Sequence, residues 1–299
     1  INNIIIGTLQ FIPRNIIKLI SNRYIAGIND IEAIDTIKKI NNMNLSATID
    51  ILGEHTTNIN EAKSITHNYI KLYKEIEKNN LDCNISLKPS HIGSDIDINI
   101  YHENLMNIHN EASKRKNFLR IDMENSDLTD LTIRSFNSRY NSENNIGIVI
   151  QAYLHRSLND IKNLKQGMNI RLCKGIYNES SNIAIKDPDK INVNYLSLLT
   201  TAFNKGLYVG IATHDLELIN KILDLIKTMN INKDKFEFQV LYGVPMGHMI
   251  KKLLDDKYKV RVYVPYGKNW YDYSIRRLRE NPNIVKYIIK NLFSKNFYK

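Results

Sequence analysis

Short β-rich runs recur eight times along this chain, and no feature restricts its fold more. They are Ala47–Glu54, Asn84–Ser90, Phe118–Glu124, Ile146–Tyr153, Met168–Gly175, Leu207–Asp215, Phe236–Gly243 and Lys259–Gly267. Several are dense in Ile, Val and Leu, as strands covered on both faces should be. Between them, apolar residues return every three or four positions. Ala62, Ile65, Tyr69, Leu72 and Ile76 form one helical stripe, and Leu216, Ile219, Ile222, Leu223 and Ile226 form another. Strand–helix units in unbroken succession imply a parallel sheet, and eight units are what closes a (β/α)8 TIM barrel. The competing α/β fold is a doubly wound open sheet, which normally places a glycine-rich phosphate loop after its first strand. That place reads Leu52-Gly53-Glu54-His55 here, which is no dinucleotide fingerprint. The expectation is a single barrel domain over residues 1–299. An N-terminal helical stretch that includes Ile31–Asn41 should cover part of its exterior.

Composition narrows the classes further. Apolar residues at 43% and charged residues at 24% exclude intrinsic disorder. Lys and Arg total 41 against 31 Asp and Glu, a formal charge of +10. That balance invites an anionic ligand, nucleic acid or a membrane surface without choosing among them, and a general bias toward Ile, Asn and Lys weakens any functional reading of it. Two cysteines, Cys83 and Cys173, exclude a disulfide scaffold or a multi-cysteine zinc site and point to a reducing compartment. The opening stretch Ile4–Ile20 is apolar in patches but interrupted by Pro13, Arg14 and Lys18. A spanning helix needs about 20 apolar residues, and no small-residue cleavage site follows.

In a barrel the chemistry gathers where the strands end. In order, those ends offer Glu54, Lys88, Asp122, Gln151, Arg171 with Lys174, Thr213 with His214, Gln239, and Tyr263 with Tyr266. One polar strand end is ordinary; polar residues at all eight read as one shared site. After the last strand, Tyr273, Arg276, Arg277 and Glu280 fall at i, i+3, i+4 and i+7 and share a helix face. Alone, that pattern is a solvated basic face. Directly behind an eighth strand, the helix can overhang the barrel mouth. Its adjacent guanidinium groups then form a fork for a carboxylate or phosphate, with an aromatic wall one turn earlier.

The segments Leu241-Tyr-Gly243, Lys259-Val-Arg-Val-Tyr-Val-Pro-Tyr-Gly267 and Trp270-Tyr-Asp-Tyr-Ser-Ile-Arg-Arg-Leu-Arg-Glu-Asn281 resemble the signature of the proline dehydrogenases. Arg171-Leu-Cys-Lys-Gly-Ile-Tyr177, Ala212-Thr-His-Asp215, Ile150-Gln-Ala-Tyr153, Arg23-Tyr-Ile-Ala-Gly27, Leu52-Gly-Glu54 and Asp122-Met-Glu124 resemble that family too, in the family's order, over about residues 20–290. The resemblance implies a single-function, FAD-dependent enzyme on a distorted barrel, with no aldehyde dehydrogenase module. It would oxidise L-proline to Δ1-pyrroline-5-carboxylate by hydride transfer to flavin N5, with a membrane quinone as the final acceptor. Peripheral membrane contact, a cytoplasmic or mitochondrial location and a separate pyrroline-5-carboxylate dehydrogenase follow from the same resemblance.

It also implies roles. Arg276 and Arg277 would clamp the proline carboxylate with Lys88 as a third cation. Tyr177, Leu241, Tyr263 and Tyr273 would wall the ring, and Glu280 would approach the ammonium or buttress the arginines. Arg171 would sit near flavin N5. Gln151, Lys174, Gly175, Thr213, His214 and Gln239 would hold the rest of the cofactor. Asp122 would orient Lys88, and Glu54 would pair with Arg276 as a gate. The chain departs from the pattern at Cys173, Ile176 and Asn178, of which Ile176 threatens a tighter substrate pocket. Two other functions remain open on the residues alone. One is a Schiff-base lyase using Lys88 or Lys174. The other is a basic nucleic-acid-binding protein, supported only by the net charge and lacking a binding motif.

Overall fold

The computed structural model describes residues 17–18, 21, 23–140, 142–244, 246–271 and 273–275. Eight strands follow one another around a closed parallel barrel: β1 Ser46–Ile51, β2 Cys83–Leu87, β3 Leu119–Ile121, β4 Ile146–Gln151, β5 Asn169–Cys173, β6 Tyr208–Ala212, β7 Phe236–Leu241 and β8 Val260–Tyr266. The ring closes where β1 pairs with β8, from Ser46 opposite Arg261 to Ile51 opposite Tyr266. The strands end earlier than the apolar runs predict. Lys88 lies one residue past β2, Asp122 one past β3, and Thr213 one past β6. The ladder nevertheless runs on into these residues, with Asp122 N donating to Leu87 O and Tyr242 N to Tyr263 O.

The helices α1 Asp30–Asn41, α2 Ile59–Lys78, α3 Ile98–Lys114, α4 Ser126–Arg139, α5 Ser157–Asn163, α6 Pro188–Asn204, α7 Leu216–Thr228 and α8 Met249–Asp255 surround the barrel. Their starts obey side-chain capping. Asn29, Asn58, Asp97, Asp187 and Asp215 each accept hydrogen bonds from the first free amides of a helix. The predicted stripe of α2 is buried as read. In α7 the apolar stripe starts at Leu218, while Leu216 is 45% exposed. The Asp215 cap fixes the phase of the first turn and turns Leu216 outward.

The strands are not apolar on both faces. Side chains of a strand alternate in direction. One set, including Ala47, Ile49, Ile85, Leu87, Ile148, Ile170, Ile211, Phe238 and Val262, is buried in the main apolar core. The other set is polar and points inward: Thr48, Asp50, Ser86, Arg120, Gln151, Arg171, Glu237 and Gln239 are all buried. Arg171 on β5 reaches Ser86 on β2, and Arg120 on β3 reaches Asn169 on β5. Bonds between strands that are not neighbours can only cross the barrel interior. Two glycines make the space. A Cβ on Gly147 would stand 2.6 Å from Arg120 Nη1, and one on Gly210 would stand 2.4 Å from Gln239 Nε2.

Candidate active site

Lys88, Asp122, Arg171, Gln239 and Tyr263, all predicted site residues, meet in one hydrogen-bonded network inside the barrel. Asp122 Oδ1 accepts from Arg171 Nη1 at 2.7 Å and from Ser86 Oγ at 2.6 Å. Arg171 Nε donates to Gln239 Oε1 at 2.6 Å, and its guanidinium lies 5.0 Å from the centre of the Tyr263 ring. The Tyr263 hydroxyl lies 3.0 Å from Asp122 Oδ2 and 2.7 Å from Asp50 Oδ2. Lys88 Nζ donates to the same Asp50 oxygen at 2.7 Å. The carboxylate that orients Lys88 is therefore Asp50, one residue before the end of β1, and Asp122 is engaged with Arg171 instead.

The network continues to the opposite end of the barrel. Gln239 Nε2 donates to Glu237 Oε1 at 2.7 Å, and so does Arg261 Nε at 2.7 Å. Arg261 Nη1 reaches the Ala47 carbonyl. Burial works to raise the Glu237 carboxyl, but Arg261 and the bonds it accepts outweigh this and hold it below the usual carboxylate range. At the other end, burial works to lower the Lys88 ammonium, yet the charges of Asp50, Asp122 and Glu54 prevail and keep it above its ordinary value.

The remaining predicted contacts lie on the loops at the same end. Lys174 Nζ is held by Asp215 Oδ2 at 2.7 Å. Gly175 has φ +107°, and a Cβ there would stand 2.2 Å from the Tyr153 ring, so glycine is needed for both the turn and the close approach. Exposed His214 accepts from the Leu241 amide at 2.8 Å and ties the end of β6 to that of β7. Thr213 is buried, its hydroxyl accepting from the Asp215 amide. Tyr177 and Leu241 are half-buried. Tyr266 turns the other way, its hydroxyl donating to Asp30 on α1.

Residues 270–271 and 273–275 are helical, directly behind β8 as predicted. Tyr273 is buried with Ile17, Tyr24, Ile25 and Leu52, its ring 6.4 Å from that of Tyr24. Arg276, Arg277 and Glu280 lie outside the described residues, so the clamp is not seen. The loop that carries Glu54 is seated by its neighbours. His55 N donates to Ser90 Oγ, Ser90 donates through both its amide and hydroxyl to Glu124, and Thr56 donates to the His91 carbonyl.

A flavin fits what is present. Gln151, at the end of β4, has a buried Oε1 with no partner, an acceptor facing no donor of its own. Most buried acceptors are met by protein or water, so this oxygen is available to a donor on a bound ring. Among the described residues, the bonds of Arg171 leave through Nε and Nη1, and Nη2 makes none.

Residues 33–288 match the family described as proline dehydrogenase. Proline dehydrogenase 2 of Bacillus subtilis is 35% identical over 292 residues, 97% of this chain and 96% of that protein. The proline dehydrogenase of Deinococcus radiodurans is 31% identical over 280 residues, 91% of this chain and 90% of that protein. Among solved structures, proline utilization A from Bdellovibrio bacteriovorus, inactivated by N-propargylglycine, has a TM-score of 0.82 at 24% identity, a likeness of fold. That match covers 93% of this chain but 34% of the longer protein. The chain belongs to the proline dehydrogenase family.

Proposed function

We propose that this protein is a single-domain, FAD-dependent dehydrogenase that oxidises L-proline to Δ1-pyrroline-5-carboxylate, the first step of proline breakdown. The observation that carries the reading is the Arg171–Asp122–Tyr263–Asp50–Lys88 network at the strand ends of a chain in this family. When bound, the isoalloxazine supplies a two-electron acceptor for hydride from the proline ring carbon next to nitrogen.

The protein's part is to hold and orient. Gln151 Oε1 would accept from the flavin ring. Arg171, fixed on two sides by Asp122 and Gln239, would place a positive charge beside the part of the ring that gains electrons. Lys174, Gly175, Thr213 and His214 would border the ribityl and phosphate portion. Lys88 supplies a cation for the substrate carboxylate, with Arg276 and Arg277 as its partners in the clamp and Glu280 behind them. Tyr177, Leu241, Tyr263 and Tyr273 would exclude water from the ring. The gate role assigned to Glu54 with Arg276 belongs to the same reading.

A membrane quinone would take the electrons, with the protein in peripheral contact at the inner membrane face and its product passed to a separate dehydrogenase. No described helix is long and apolar enough to cross a membrane. Lys88 is a poor Schiff-base nucleophile, because an ammonium held cationic by Asp50 has no free lone pair. The test is an anaerobic spectrum of the purified protein before and after L-proline. Flavin absorbance that bleaches is the expected result. A colourless protein, or one unchanged by proline, overturns the proposal, and borohydride trapping of a carbonyl substrate would favour the lyase.

A further inference from the structure

The described half of the carboxylate-binding machinery contains a residue that none of the site motifs includes. Asp50 is 1% exposed on the inner face of β1. Its Oδ2 accepts from Lys88 Nζ at 2.7 Å and from the Tyr263 hydroxyl at 2.7 Å, while its Oδ1 is buried without a partner. Lys88 is 8% exposed and, among the described residues, forms an ion pair with Asp50 alone. A buried ammonium with no counter-charge loses its proton readily, and a neutral amine cannot hold a carboxylate by charge.

We infer that Asp50 is a positioning residue for the reaction proposed above: it aims the Lys88 amine and keeps it cationic, so that the site can bind a substrate carboxylate at neutral and alkaline pH. The inference rests on that reading of the site only for its consequence; the Asp50–Lys88 linkage itself does not. Other groups act on Lys88 from the surrounding elements. Glu54 follows β1, Asp122 and Glu124 follow β3, and His91 sits on the turn after β2. Asp122 is already engaged by Arg171 and Ser86, and Glu124 by Ser90. His91 is neutral through this range, its imidazole pushed down to about 3 by burial and by Lys88. Among the described residues, Asp50 is thus the one group bonded to the amine.

The experiment compares the holoprotein with Asp50→Asn and Asp50→Glu. Acetylation of Lys88 is followed by peptide mass spectrometry as a function of pH. In Asp50→Asn the midpoint of the labelling curve should move to lower pH, and one unit of movement is about a tenfold faster reaction at neutral pH. Asp50→Glu, which restores the charge, should return the midpoint toward the wild type. An unchanged midpoint, even with a higher plateau from loosened packing, overturns the inference. In parallel, a five-membered ring carboxylate lacking the ring nitrogen is titrated. Its affinity should be nearly independent of pH for the wild type and fall at least tenfold toward alkaline pH in Asp50→Asn. A shifted labelling curve with pH-independent carboxylate binding also overturns the positioning role. A wild type with protected Lys88 that leaves proline unoxidised refutes the functional reading while the Asp50–Lys88 linkage stands.

Discussion

Gly210→Ala separates two physical effects that usually travel together. Gly210 sits on β6 opposite Arg171 on β5 and Glu237 on β7. Its backbone is not in the left-handed region, so alanine brings no strain there. By chain entropy alone the substitution should stabilise by about 0.4–1 kcal/mol. Against that, the new methyl would stand 2.4 Å from Gln239 Nε2 and 2.8 Å from its Cδ. Gln239 cannot swing away freely, because its amide donates to Glu237 and accepts from Arg171. Displacing it breaks two bonds to charged groups, each worth about 1.5–3 kcal/mol. The net expectation is a loss of about 2–6 kcal/mol, or roughly 3–9 °C in melting temperature for a domain of this size. The assay is a thermal melt of four proteins: wild type, Gly210→Ala, Gln239→Ala and the double variant. With Gln239 truncated the clash disappears, so the double variant should recover about 2 kcal/mol relative to additivity. A higher melting temperature for Gly210→Ala, or strict additivity, refutes the claim that this glycine exists to seat the Gln239 amide.

Two further expectations test the scaffold. Gly243 has φ +74° and a Cβ there would lie 1.6 Å from the Arg23 carbonyl, so Gly243→Ala combines left-handed strain of about 1–2 kcal/mol with a backbone clash; a variant that melts within a degree of wild type contradicts the packing. His91 is pushed down to about 3 from 6.5, first by burial and then by Lys88. Its contribution is therefore fully present above pH 6.5 and is lost as pH falls from there toward 3, up to about 5 kcal/mol at 1.36 kcal/mol per unit. Melting curves between pH 7 and 4 should fall less steeply for His91→Gln than for wild type, and parallel slopes would show that another group carries the acid sensitivity.

The parallel barrel was readable, because eight β-rich runs in succession are a property of the linear chain, and so was the gathering of polar residues at its strand ends. The polar floor was not. Thr48 and Asp50, Arg120 and Asp122, Glu237 and Gln239, and Arg261 and Tyr263 occur two residues apart, which is the signature of one strand face. Parallel strands are expected to be apolar on both faces, and under that expectation each inner polar residue reads as a boundary of its strand. Asp50 is hidden in this way, four residues before Glu54, the polar residue that the run offers at its end. The same assumption placed Tyr266 at the site with Tyr263, although odd spacing from Tyr263 sends it outward to Asp30. The partnership of Lys88 with Asp50 and of Asp122 with Arg171 depends on which strands face each other across the barrel, and no local pattern encodes that.

A polar barrel interior is costly to build, since each buried charge must be matched. The bonded chain from Lys88 to Arg261 meets this requirement by matching three cations with three carboxylates: Lys88, Asp50, Tyr263, Asp122, Arg171, Gln239, Glu237 and Arg261 follow one another. Arg120 adds a cation beside that chain, bonded to the carbonyls of Ile148 and Asn169 and to the Asn169 side chain. Among the described residues Glu124, buried at the mouth and in electrostatic reach of Lys88, offsets that added cation. Under the proposed function, the carboxylate of a bound zwitterion would add its negative charge to this lining at Lys88. The field at Lys88 is then set by the whole barrel lining, so a charge change at the floor, such as Glu237→Gln, should alter carboxylate affinity at the mouth without touching a single residue there, and an unchanged affinity in a titration would show that the floor does not reach it.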